Sequence, residues 1–148
     1  MRIVQIVFAV MMLLNIKVNA QCKEIKLAVK AMNNTDIDSS MSSLKIAEAI
    51  IKENGLESVS EKCMAKYYYT KGAVHLIIGQ KEDSISSKIS YFNISKKNYE
   101  SFLKTNKTGD LHDMVMSNLL SLSVEYSNVG VEYYQAKNFK EALGYMQK

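Results

Sequence analysis

Proline is absent from all 148 residues, and glycine appears only six times. The two residues that most readily interrupt helices are therefore scarce, and helices can run long. Arginine occurs once, as Arg2. Bidentate recognition of phosphate or guanine depends on the planar guanidinium. The remaining positive charge is lysine, which reads as solvated helix faces, and no nucleic-acid partner is expected of this segment. The two histidines, His75 and His112, stand on separate expected helices without neighbours at zinc-ligand spacing. His112 adjoins Asp113, but adjacent helical residues are expected to point apart. No phosphate-cradling glycine loop and no G-x-S-x-G motif is found. These absences leave no catalytic residue, metal ligand set or cofactor to expect, and the chain reads as a non-enzyme.

What is present is helical and apolar. A hydrophobic share of 47% is too high for a disordered chain, and the length suits about one domain. Residues 1–20 have the layout of a cleavable secretory signal: a positive start at Arg2, an apolar run from Ile3 to Leu14, and Ala20 before the cut. That run is short for a stable membrane anchor, which is the alternative. Gln21 before Cys22 does not suit lipoprotein cleavage. Cys22 and Cys63 are the only cysteines, and in an exported chain they either pair in one disulfide or stay free. The sequence leaves that open. The lysine-rich, arginine-poor composition with a signal points to a bacterial protein, periplasmic or membrane-associated. The three N-x-S/T matches, at Asn33, Asn93 and Asn106, are then chance occurrences.

Along the mature chain, Ile25, Val29 and Met32 predict a first helix over 21–32, and the polar stretch 33–40 predicts a loop. Leu44, Ala47, Ile50 and Ile51 place a second helix over 41–54, stopped by Gly55. Ser58 with Glu61 reads as a capping box opening a third helix to about Ile78, with Gly79 and Gln80 as the turn. A stripe from Ile85 through Phe92 and Tyr99 to Leu103 predicts a fourth helix. Thr105–Gly109 is a turn, and Asp110 caps a long fifth helix through Leu111, Val115, Leu119, Leu122 and Tyr126. Strand signals are nearly absent, so the fold class is all-α.

The most patterned stretch is Tyr126–Lys148. Tyr126, Val129, Gly130 and Tyr133 are followed by a polar turn, Ala136-Lys137-Asn138, then by Phe139, Ala142, Leu143 and Met146. Gly130 and Ala142 are small residues where two antiparallel helices can approach closely. This run resembles the tetratricopeptide repeat, W-x2-L-G-x2-Y then A-x3-F, with a period of about 34 residues. Tyr68-x2-Lys71-Gly72-x2-His75 is a weaker copy, and Ser84 stands at the same offset from Gly72 as Ala142 does from Gly130. The interval between the two glycines exceeds one period, so long helices are expected in the middle.

The resemblance implies antiparallel helix pairs stacked as a tetratricopeptide-like α-solenoid, stabilised by neighbouring units. Its organisation would be a signal over 1–20, a degenerate helical unit over 21–57, and repeats over 58–148 with the last unit incomplete. Tyr68, Gly72, Tyr126, Val129, Gly130, Tyr133, Phe139, Ala142, Leu143 and Met146 would then be packing residues. Lys66, Tyr69, Thr70, Ala73, Ser127, Asn128, Val131 and Tyr134 would line a concave groove that binds a protein or peptide. The implied function is an exported protein-binding scaffold. The alternative is the N-terminal input region of a longer membrane-bound signalling or transcription regulator.

Overall fold

The computed structural model describes residues 21–147, and the signal expected over 1–20 lies outside them. The described residues are all-α, with six helices and antiparallel packing between neighbours. The first, α1, is helical over 21–33. It is followed by α2 (Ile37–Asn54), one 3-10 turn (Leu56–Ser58), α3 (Glu61–Lys81), α4 (Ile85–Thr105), α5 (Asp110–Gln135) and α6 (Phe139–Met146). Two compact units divide between Tyr67 and Tyr68, within α3.

In the first unit, α2 starts earlier than the polar composition of 33–40 suggested. Asp36 takes the N-cap and accepts a hydrogen bond from the Ser39 amide at 3.0 Å. Hydrogen bonds from Ser39 hold its carboxyl below the ordinary carboxylate pKa. Ser40, Leu44, Ala47 and Ile51 are the buried positions of α2, spaced at helical intervals. Gly55 ends the helix at φ 85°, a left-handed-side conformation that favours glycine. The cap of α3 is Ser60 rather than Ser58, because Ser60 Oγ accepts from the Cys63 amide at 3.4 Å. Ser58 instead closes the 3-10 turn, one residue pair too early to cap. The question left open for the cysteines is answered here. Cys22 and Cys63 form a disulfide, their Cα atoms 5.6 Å apart.

In the second unit, partners fall in number on one helix as they rise on the next. Gly72 lies against Tyr99 and Gly79 against Phe92, so α3 and α4 run antiparallel. Lys88 pairs with Glu132, and Asn118 donates to the Tyr99 hydroxyl at 2.9 Å, which sets α4 against α5. Phe92, Tyr126, Leu76, Leu122 and Val129 form the buried centre. The Phe92 and Tyr126 rings meet edge-on at 5.9 Å. Gly79 does not form a turn, as its place after an apolar run suggested. It is a helical residue that lets the Phe92 ring approach, and a Cβ there would sit 2.6 Å from that ring.

In the α5–α6 hairpin, Gly130 stands close to α6. A Cβ on Gly130 would meet Met146 Cγ at 2.7 Å and the Ala142 carbonyl at 3.2 Å. Gly130→Ala should therefore destabilise the second unit by about 1–3 kcal/mol, despite alanine's better helix propensity. Gly144 on the same hairpin has open space around its Cβ position, so Gly144→Ala should stabilise by up to about 1 kcal/mol. Urea midpoints for the two variants check both signs.

Gly72 has a different neighbour. A Cβ there would meet the fully buried Tyr99 ring at 2.5 Å, not a small residue just past the next turn. Ser84, which matches Ala142 by offset, is the exposed N-cap of α4. The offset therefore does not carry the same contact.

A turn of one geometry appears in both units. After α1, the amide of Thr35 bonds the Met32 carbonyl and that of Asp36 bonds the Ala31 carbonyl, each at 2.9 Å. After α5, Lys137 bonds Tyr134 and Asn138 bonds Tyr133, again at 2.9 Å. Thr35 and Lys137 have φ of 60° and 61°, the left-handed residue of a Schellman turn. The next residue, Asp36 or Asn138, caps the following helix through its side chain. Across the first turn, Ser40 Oγ donates to the Ala28 carbonyl at 2.9 Å, and both residues are fully buried. Ala28 and Ser40 thus occupy the places that Gly130 and Ala142 occupy at the other hairpin.

Candidate protein-binding face

The residues expected to line a groove separate into two groups. Tyr69, Thr70 and Ala73 on α3 are buried, and Lys66 is half-buried. From Tyr69 to Leu76 only Lys71 is not fully enclosed, so α3 is covered around most of its circumference there. This stretch offers no groove. The Tyr69 hydroxyl is pushed above its ordinary pKa by burial. The buried Thr70 hydroxyl has no hydrogen-bond partner. Thr70→Val should raise stability by about 1 kcal/mol, since it removes an unsatisfied polar group, and thermal unfolding would read the change.

Ser127, Asn128, Val131 and Tyr134 on α5 are exposed. They continue a line that begins further up the same helix. Met116, Leu120, Val124, Ser127, Val131 and Tyr134 follow one another at steps of three or four residues, which places them along one face. Leu120 is 71% exposed. The opposite face of α5, with Val115, Leu122, Tyr126 and Val129, supplies the core. Apart from Asp110 and Asp113 in its exposed first turn, the charged side chains of α5 turn elsewhere: Glu125 accepts from Gln80 at 2.8 Å, and Glu132 pairs with Lys88.

On α6 the assignment of packing residues needs correction. Ala142 is buried and Tyr145 stacks on Tyr126 and Tyr133, at centroid distances of 6.2 and 5.6 Å. Phe139, Leu143 and Met146 face outward, with Leu143 60% exposed. An eight-residue helix presents only one face to its hairpin partner, and these three residues share another. Of the three, Met146 also touches the Gly130 crossing point, so it straddles core and surface. The exposed lines on α5 and α6 join where the Tyr134 and Phe139 rings meet at 5.3 Å. Tyr68 and Tyr133 are half-buried, and Gly72, Tyr126, Val129 and Gly130 are buried.

Ionisable groups near this hairpin are held by packing. The Tyr126 hydroxyl donates to Asn93 Oδ1 at 2.8 Å, and its pKa is pushed up to about 12, by burial first and then by Tyr145 and Glu100. Burial also raises Tyr99. A raised acid pKa in the folded state means that folded protein holds the proton longer than unfolded protein does. Stability is then fully present below pH 10 and declines as pH rises toward about 12. Urea unfolding between those limits should show that decline, and Tyr126→Phe should flatten part of it.

Among the described residues, no group of three histidine, cysteine, aspartate or glutamate side chains could hold a metal ion. His75 Nδ1 lies 2.8 Å from the Lys71 carbonyl. His112 and Asp113 do meet, Nδ1 to Oδ1 at 3.3 Å, in the exposed first turn of α5. Among the described residues, no helix is long and apolar enough to cross a membrane. No protein-family model, curated protein or solved structure matches this chain.

Proposed function

We propose that the chain is an exported, non-enzymatic helical-repeat module that binds a helical segment of another polypeptide on its α5–α6 face. The observation that carries this reading is the uncharged line from Met116 to Tyr134, apolar except at Ser127, joined to Phe139, Leu143 and Met146. Soluble monomers seldom expose apolar patches of this extent without a partner to cover them. The repeat aspect is supported by the two matching Schellman turns. Lys137 follows Thr35 at three times the tetratricopeptide period of about 34 residues. Export is supported by the disulfide, since such links persist in oxidising compartments.

Helical peptides selected by display against the protein test this reading. Amide shifts in NMR should change at Leu120, Val131, Tyr134 and Leu143 when such a peptide is added. Peptides that bind elsewhere, or a selection that yields none, would count against the α5–α6 face as a recognition surface.

A further inference from the structure

We propose that the occupant of this face is a second copy of the chain, two α5–α6 hairpins closing across a twofold axis into a four-helix bundle. This rests on the protein-binding reading above and names its partner.

The first argument is charge. The exposed line on α5 consists of Met116, Leu120, Val124, Ser127, Val131 and Tyr134, none of them charged. An acidic or basic partner would find no counter-charge along it. From Met116 to Tyr134 a second copy brings no like charges into contact, because Glu125 and Glu132 are directed toward Gln80 and Lys88 and the exposed acids Asp110 and Asp113 lie beyond the N-terminal end of that line. At the rim, Lys140 and Glu141 are both exposed. A twofold repetition can set each against its opposite, as isologous interfaces do.

The second argument is spacing. Steps of four, four, three, four and three residues keep this line facing one direction for five turns, which is the geometry of a seam between packed helices. The third is area. The exposed side chains range from 45% accessible at Val131 to 71% at Leu120. Eight such large residues present on the order of 800 Å², the contribution of one partner to a standard stable interface. Burying it against an identical face satisfies both copies at once.

Sedimentation velocity and equilibrium on the disulfide-bonded chain, from about 1 to 100 μM, read the result directly. A dimer is expected. Leu120→Glu and Leu143→Glu change exposed positions, so helicity by circular dichroism should hold, while the dimer dissociation constant rises about 100-fold or more. Ile46→Glu alters an apolar residue of the first unit that is 50% exposed and should leave the dimer intact. A chain that is monomeric throughout overturns the pairing, as does a dimer indifferent to both α5–α6 variants or lost with Ile46→Glu. A monomer that still takes up selected helical peptides on α5–α6 overturns self-pairing alone and leaves the binding function standing.

Discussion

Phe92→Ala should destabilise the second unit by about 3–5 kcal/mol. The ring is 1% exposed and stands among Leu76, Leu122, Tyr126 and Val129. Its removal leaves a void where three helices meet, and the edge-on contact with Tyr126 is lost with it. A second substitution makes the expectation specific. Gly79→Ala alone should also destabilise, because its Cβ would sit 2.6 Å from the Phe92 ring. With alanine at 92 that ring is gone and only Tyr91 Cβ, at 3.2 Å, still crowds the position, so the same glycine change should cost markedly less. Urea unfolding of the four proteins in a double-mutant cycle checks this. Additive costs would show that the ring and the glycine do not share a contact.

Loss of the disulfide is expected to cost about 4 kcal/mol, by a different route. The link joins residues separated by 41 positions, and closing a loop of that length removes entropy from the unfolded chain of about this magnitude. Cys63 is buried and Cys22 is half-buried, so the thiols of a reduced chain also lose a packed contact. Unfolding with and without reductant, compared with a Cys22→Ser/Cys63→Ser chain, separates the bond from the side chains. The oxidised wild type should stand well above the other three conditions, which should agree closely. Coincidence of all four midpoints would mean that the link adds nothing to folding.

The sequence made the helices legible because their apolar residues recur at helical intervals and little interrupts them. It was less informative where one letter serves two physical roles. Gly79 follows an apolar run and reads as a stop, yet the same lack of a Cβ is what admits the Phe92 ring inside a helix. Ser58 and Ser60 both precede α3, and only hydrogen-bond geometry shows that Ser60 supplies the cap.

The binding residues divide for a related reason. Tyr69, Thr70 and Ala73 were placed in a groove by position in a repeat, while the actual α3 is enclosed there. Phe139 and Leu143 have the spacing of core residues, but periodicity states that a helix has an apolar face without stating what covers it. The Ala28–Ser40 contact was available as a signal. Two small residues flank a polar turn there, at the same spacing as Gly130 and Ala142.

The bond between Cys22 and Cys63 also fixes how the chain yields to tension. A force applied beyond those two residues passes through the sulfurs and bypasses everything between them. At about 3.5 Å per residue, the bridged segment withholds roughly 140 Å of contour length until the bond is reduced. A single-molecule extension trace should therefore lengthen by that amount on addition of reductant, with α2 as the principal element released.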